Sequence, residues 1–171
     1  FKRSGIPYRI IGGTRFFDRA EVKDMLAYLC VINNRADELR LQRIINNPPR
    51  GIGGKTLEMA QRQADAAGVP LYTVVSDPYS FPSLEKAAGK LMAFTVLIEE
   101  CAELLSSLSL PDFYAEVMTR TGYLQMLEEK GDVESRTRAE NVRELKSSIV
   151  SYVENTDAPT LAGFLEEIAL Y

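Results

Sequence analysis

The chain has 171 residues, of which 46% are hydrophobic and 26% charged, and its formal net charge is -4. This composition is typical of one globular domain, or slightly more, with a real hydrophobic core, and it excludes a disordered chain. No apolar run approaches the roughly 18 residues that a membrane span needs, and nothing resembles a signal peptide. The chain opens in mid-pattern on Phe1 and stops on the apolar FLEEIALY, so we expect a segment of a longer protein.

A strand and then a helix are predicted at the start of the chain. IPYRII, followed by Gly12 and Gly13, is short, β-branched and aromatic, which predicts a strand that must pair with a sheet outside this sequence. A helix is expected from about Asp18, where Asp18 and Glu21 form a capping-box pair. Its apolar stripe runs from Val22 to Ile32 at helical spacing.

The stretch PPRGIGGKT, residues 48–56, predicts a hairpin between two helices. Two prolines stop the helix before it, and KTLEMAQ starts the helix after it. Gly51 and Gly53 permit positive φ and close approach of another backbone, and Ile52 between them can fix the turn to a core. A tight turn that leads into a helix N-terminus offers unpaired N–H groups and a partial positive charge, which suit a phosphate oxygen.

Arg50 and Lys55 add full charges on either side of these glycines, so we interpret the stretch as a helix-hairpin-helix-like clamp on a nucleic-acid backbone. Two other interpretations compete. GIGGKT resembles the end of a P-loop, but that pattern needs a glycine where Pro49 stands, and a buried strand before it. A plain helix–helix turn, with glycines used for geometry alone, stays open at this point.

The rest of the chain predicts amphipathic helices. Residues 70–78 predict a short helical turn, and residues 83–108 the longest helix, with Ser83 as its N-cap. Pro111 suits the first turn of the next helix, which Gly122 divides. Two more helices are expected over residues 133–155 and 159–170. The predicted fold is all-α, a helical bundle with a helix-hairpin-helix-like GIG turn and one short N-terminal strand.

Charge is distributed unevenly along the chain. Residues 1–56 hold eleven basic and five acidic residues, a balance of +6, whereas the remainder holds nine basic and nineteen acidic residues, a balance of -10. Such an asymmetry indicates that one end of the domain meets a polyanion while the other faces water or a protein. The basic end contains the hairpin.

The residues that usually carry catalysis are scarce. Cys30 and Cys101 lie far apart in apolar helical contexts, which is typical of reduced, buried thiols and favours a cytoplasmic protein. The sequence has no histidine, which removes the usual zinc ligand, general base and nucleophile partner. Adjacent carboxylates such as Glu99 and Glu100 do not share a helix face, so we expect solvated charges. We predict no catalytic residue and no metal site.

Three stretches together resemble one family. GGTRFFDRAEVKDMLAYL, RIINNPPRGIGGKT and TRAENVREL are similar, in order and spacing, to segments of the UvrD/PcrA/Rep DNA helicases of superfamily 1. The resemblance covers essentially the whole chain, and its first two segments are highly specific, whereas residues 138–142 match more loosely. It implies that residues 1–13 are a strand remnant of the RecA-like domain 2A. Residues 14–171 would be the helical subdomain 2B of an ATP-dependent 3'-5' DNA helicase of DNA repair or replication.

The resemblance also implies roles for residues. The hairpin would grip duplex DNA ahead of the fork through its phosphates, independently of sequence, with the residues Arg50, Gly51, Ile52, Gly53, Lys55 and Thr56. Lys23, in the E-x-K-D stretch, would lie near the same duplex. The hinge between subdomains would comprise Thr14, Arg15, Phe16, Phe17 and Asp18. Family members often carry an arginine where this chain has Cys30, so any contact made by that arginine is not expected here.

The ATP-hydrolysing parts of such enzymes are not in this sequence. It has neither a Walker A loop nor a D-E-x-x box, so we expect this segment alone to hydrolyse no ATP and unwind no DNA, with ATP and Mg as cofactors of the parent helicase. The expected partners are duplex DNA and the remaining domains of the parent, and no membrane. Two alternatives stay open: a stand-alone helix-hairpin-helix DNA-binding module of a repair nuclease or polymerase, and a helical protein-interaction domain.

Overall fold

The computed structural model describes residues 15–170, and the strand predicted within residues 1–13 lies outside them. The described range contains helices and no strand, which confirms the all-α prediction for that range. One helical turn over residues 15–18 comes first. The helices that follow are α1 (Ala20–Asn33), α2 (Glu38–Ile44), α3 (Gly54–Ala67), α4 (Leu71–Val75), α5 (Ala88–Glu103), α6 (Leu110–Arg120), α7 (Tyr123–Lys130), α8 (Val133–Glu154) and α9 (Leu161–Ile168).

Helix α1 lies at the centre of the bundle, where it contacts α2, α5, α8 and α9. Its predicted apolar stripe is confirmed, since Val22, Met25 and Leu29 are fully buried. The predicted capping box is wrong, because the N-cap is Arg19 and no side chain caps the helix. The carboxylate of Glu21 instead accepts a hydrogen bond of 2.7 Å from the side chain of Asn141, which ties α1 to α8.

Helix α5 is shorter than predicted. Two 3-10 segments, Pro82–Ala87 and Leu104–Ser106, take up the two ends of the expected helix. The N-cap of α5 is Ala87 rather than Ser83, because the chain that follows Pro82 first forms the tighter 3-10 turn. The interior of α5 matches the prediction, and its apolar residues are buried along one side.

Of the four helices described after α5, three begin with a side-chain cap, and α7, whose N-cap is Gly122, does not. Ser109, Asp132 and Thr160 are the N-caps of α6, α8 and α9, and each side chain accepts a hydrogen bond from a backbone N–H of the first turn. Gly122, with a φ of 77°, separates α6 from α7 as predicted. The hydroxyl of Tyr114 donates a hydrogen bond of 2.6 Å to the carbonyl oxygen of Val142, and so joins α6 to α8.

Both cysteines are free thiols. Cys101 is buried, and burial raises the pKa of its thiol to about 11. Cys30 is partly exposed, and burial is again the main cause that raises the pKa of its thiol. Within residues 15–170, no helix combines the length and the apolar character needed to cross a bilayer.

Candidate nucleic-acid interface

The predicted hairpin lies between α2 and α3, and Gly51 and Gly53, which flank Ile52, are exposed. Ile52 between them is 1% exposed, so the turn is fixed to the core as the sequence indicates. Gly51 has a φ of 75°, in the left-handed region that favours glycine. Gly53 is the N-cap of α3 with a φ of -82° and a ψ of 175°, which any residue can adopt. The two glycines therefore differ: Gly51 serves the turn, and Gly53 leaves open space.

Two asparagines brace the hairpin through hydrogen bonds. The side-chain oxygen of Asn46 accepts hydrogen bonds from the backbone N–H of Arg50 at 2.6 Å and of Ile52 at 3.1 Å. The carbonyl oxygen of Asn47 accepts a hydrogen bond of 2.7 Å from the hydroxyl of Tyr28 on α1. The sequence pattern indicates only that a helix ends at these asparagines. In the structure their hydrogen bonds hold the loop that follows.

The side chain of Arg50 points into the fold. The sequence pattern predicts instead that its charge lies beside the glycines. Its terminal nitrogens donate hydrogen bonds to five acceptors, which are the carbonyl oxygens of Ile44 (2.8 Å), Ile45 (3.3 Å), Pro48 (3.4 Å) and Thr121 (3.2 Å) and the hydroxyl of Tyr28 (2.6 Å). Its guanidinium also lies 5.2 Å from the ring centroid of Phe94 on α5. The terminal nitrogens of Arg50 thus bind protein acceptors, and its contact with a ligand stays a prediction.

Tyr28 shows how enclosed this arrangement is. Burial raises the pKa of its hydroxyl to about 12, although the nearby positive charge of Arg50 acts in the opposite direction. The hydroxyl therefore stays protonated at neutral pH and remains available as the donor to Asn47.

Asp24 anchors the same loop from α1. Its side chain is largely buried and accepts hydrogen bonds from the side chains of Arg43 at 2.7 Å, Asn47 at 3.0 Å and Tyr123 at 2.6 Å. Burial, followed by the hydrogen bond to Asp24, raises the pKa of Tyr123. One carboxylate thus connects α1, α2, α7 and the hairpin, and holds the loop in a single position.

The start of α3 is open to solvent. No side chain caps this helix, and Gly53, Gly54 and Lys55 are exposed, whereas Thr56 is half-buried. The first N–H groups of a helix have no partner within the helix, and they carry part of the positive end of its dipole. Lys55 forms no ion pair with any residue in the described range 15–170. Amide donors and a free ammonium group therefore lie together beside the hairpin.

Lys90 is a neighbour of the hairpin that the sequence did not identify. It is exposed on the first turn of α5, and a Cβ built on Gly51 would lie 2.9 Å from its Nζ and 3.2 Å from its Cδ and Cε. In the sequence this lysine resembles any solvated position of an amphipathic helix. Only the fold shows that it lies over Gly51.

Lys23 lies on another surface. It is exposed and lines a groove of about 710 Å³ between α1, α2 and α9, together with Cys30, Arg40 and Leu165. None of residues 50–56 lines this groove. Lys23 and residues 50–56 therefore do not line a common groove.

The hinge candidates include both exposed and buried residues. Thr14 lies outside the described residues, and Arg15 and Asp18 are exposed. Phe16 and Phe17 are buried, with their rings edge to face at a centroid separation of 5.2 Å. These two phenylalanines belong to the core of the helical body.

Comparison with known proteins identifies the family. The family model described as the UvrD-like helicase C-terminal domain matches residues 1–171. The chain is 34% identical over 172 residues to "ATP-dependent DNA helicase PcrA" of Staphylococcus aureus, and 33% identical over 168 residues to the protein of that name in Bacillus subtilis. These matches cover 99% and 98% of this chain, but only 24% and 23% of the relatives, so the chain spans about a quarter of their length. The chain belongs to the UvrD-like helicase C-terminal domain family.

Proposed function

We propose that residues 14–171 are the 2B subdomain of an ATP-dependent 3'-5' DNA helicase, and that its hairpin holds duplex DNA through the phosphates. The observation that carries this proposal is the exposed pair Gly51 and Gly53 beside the uncapped first turn of α3, on a loop that Asn46 and Arg50 hold in one shape. A rigid turn with free amide donors suits an anion, and needs no contact with a base.

Family membership supports this proposal over the two alternatives, because the relatives are named as DNA helicases rather than as nucleases, polymerases or interaction domains. Under it, residues 1–13 belong to the RecA-like domain 2A, and ATP and Mg are bound by other parts of the parent chain. The role of this segment is then to contact the duplex and to regulate unwinding, in DNA repair or replication.

We propose different roles for the candidate DNA-binding residues. Gly53 leaves open space for a phosphate, Gly51 makes the turn, and Lys55 and Thr56 add an ammonium group and a hydroxyl at the start of α3. Ile52 acts from the core, and we now assign Arg50 to positioning the loop rather than to direct contact. Lys23 remains a separate candidate contact, on the groove surface.

The hinge candidates fall on two sides of the proposed swivel. Phe16 and Phe17 are part of the core, so we propose that they move with the helical body when it swivels. The backbone change would then fall on Thr14 and Arg15, or before them. Asp18, which is exposed beside the groove, would lie on the moving side.

Binding through phosphates predicts a simple salt dependence. With about two to four phosphates neutralised, a plot of log affinity against log salt concentration for duplex DNA should have a slope of about -2 to -4. Affinity should not depend on the base sequence, because backbone amides and lysine ammonium groups carry little information about the bases.

The variant Gly53→Val tests the proposal. Its backbone angles suit any residue, and no atom lies within 4 Å of a Cβ at this position, so the variant should fold, with a melting temperature lowered only slightly because valine is a poorer N-cap than glycine. The valine should nevertheless block close approach of a phosphate and weaken duplex binding. Lys55→Ala should lower the salt slope by about one unit, whereas the exposed Lys130→Ala should leave it unchanged.

The measurement is fluorescence anisotropy of a labelled random-sequence duplex over a salt series, with circular dichroism melts of each variant. Duplex affinity equal to that of the parent chain in well-folded Gly53→Val and Lys55→Ala would contradict the proposal. It would leave the glycines as parts of a helix–helix turn alone.

A further inference from the structure

Lys90 covers the outer face of the hairpin although it comes from a different helix. Its Nζ, Cδ and Cε would all lie within 3.2 Å of a Cβ at Gly51, so the end of the side chain lies along the glycine. The residue is exposed, and it forms no ion pair within the described part of the chain. Its ammonium group is therefore held close to the hairpin and is still available to a ligand.

The position of Lys90 is determined by burial one turn further along α5. Phe94 is 1% exposed, and its ring lies under the guanidinium of Arg50, at 5.2 Å from the ring centroid. Residues four apart lie on the same face of a helix, so the contact between Phe94 and Arg50 keeps Lys90 over the loop that Arg50 braces. This contact therefore fixes the part of α5 that carries Lys90 beside the loop.

The exposed positive charge beside the hairpin comes from two lysines rather than from Arg50. Because the cation of Arg50 points inward, the exposed glycines are flanked by Lys55 on α3 and by Lys90 on α5. Neither lysine is neutralised by a carboxylate in the range 15–170. Two ammonium groups beside one turn make a local positive surface on a chain whose net charge is -4.

We infer that Lys90 binds a phosphate of the duplex, so that the interface is formed by α5 as well as by the hairpin and α3. This inference rests on the proposed function. A lysine ammonium is a compact point charge, which suits a phosphate approached from any direction and reads no base. The competing role is purely structural, with the methylene groups of Lys90 covering Gly51.

Three variants of the 171-residue chain separate these roles. Lys90→Met keeps most of the apolar length and removes the charge, Lys90→Arg keeps the charge, and Lys130→Met removes an exposed lysine from the end of α7. Duplex affinity is measured over a salt series with a random-sequence duplex. Lys90→Met should reduce the salt slope by about 0.9 and weaken low-salt affinity severalfold, with an unchanged melting temperature. Lys90→Arg and Lys130→Met should bind as the parent chain does.

The outcomes distinguish this inference from the proposed function. If Lys90→Met retains the full salt slope while Lys55→Ala loses about one unit, the inference is overturned and the hairpin proposal stands. If Lys90→Met lowers only the melting temperature, its role is packing, and the inference is again overturned. If Gly53→Val and Lys55→Ala also bind like the parent chain, the proposed function fails as well.

Discussion

The hairpin region and the acidic second half of the chain use polar side chains differently. In the second half, Ser109, Asp132 and Thr160 each accept a hydrogen bond from a first-turn N–H, which closes the starts of α6, α8 and α9. Beside the hairpin, Asn46 and Arg50 hold the loop, and the first turn of α3 is left without a cap. The three capped helices thus satisfy a first-turn donor by themselves, whereas the start of α3 combines a braced loop with open first-turn donors.

The largest expected effect comes from Arg50. Arg50→Ala leaves the carbonyl oxygens of Ile45, Pro48 and Thr121 and the hydroxyl of Tyr28 without this donor, and it should lower the free energy of unfolding by about 2–4 kcal/mol. Arg50→Lys should recover only part of this, because one ammonium cannot reach five acceptors. Chemical denaturation measures the loss. Full stability in Arg50→Ala, with duplex binding abolished, would instead make Arg50 a direct contact.

Asn46 tests whether the brace and the binding surface are coupled. Asn46→Ala leaves the N–H groups of Arg50 and Ile52 without their acceptor, which should cost about 1–3 kcal/mol in the free energy of unfolding. Because the loop then loses its single shape, duplex affinity should fall as well, although Asn46 itself is not proposed to touch DNA. Denaturation and anisotropy on the same sample check both effects. Lost stability with unchanged affinity would separate the brace from the interface.

Gly51 should be far less tolerant than Gly53. Gly51→Ala must place a Cβ at a φ of 75° and displace Lys90, so we expect a loss of about 1–2 kcal/mol in the free energy of unfolding. Gly53→Ala is the matched control and should cost less than about 1 kcal/mol, since its extended backbone suits any residue and only the N-cap preference of glycine over alanine is lost. Thermal melts of the two variants make the comparison. Equal losses would show that the two glycines do not differ in role.

A cap in the acidic half should affect stability alone. Thr160→Ala removes the hydroxyl that accepts from the N–H of Gly163, at an expected cost of about 1 kcal/mol, and Thr160→Ser should restore most of it. Duplex affinity should remain that of the parent chain. A change in the salt slope for Thr160→Ala would contradict the division between the two regions.

The smallest expected effect is a pH dependence at the ion pair that joins Arg35 to α5. The hydrogen bond from Arg35, at 2.9 Å, is the main cause that holds the pKa of Glu99 below its ordinary value. A carboxyl group with a lowered pKa contributes stability above its unfolded-state pKa, and that contribution is lost as the pH falls through the folded-state value. Glu99→Gln should therefore flatten the acid side of the stability profile slightly. An unchanged acid profile would show that this exposed pair contributes nothing measurable.

Local patterns in the sequence predicted the helices, the division at Gly122 and the burial of Ile52, because periodicity and turn residues act over a few positions. The side chain of Arg50 points inward because it finds acceptors on α1, on α2 and just after α6, and no local sequence pattern brings these together. Lys90 was missed for the same reason, since its relation to Gly51 exists only when α5 packs on the hairpin. The capping box at Asp18 and Glu21 was wrong because Asn141, far away in sequence, binds Glu21.

Amide chemical shifts measured during a duplex titration test the proposed interface most directly. In 15N–1H spectra of the 171-residue chain, a random-sequence duplex should shift the amide signals of Gly51, Gly53, Gly54 and Lys55. Those of the capped first turns at Ser135 and Gly163 should stay in place. The shifts should weaken with added salt, since they report contacts with phosphates. Shifts confined to the groove around Cys30, or no shift at the hairpin at duplex saturation, would contradict the proposed interface.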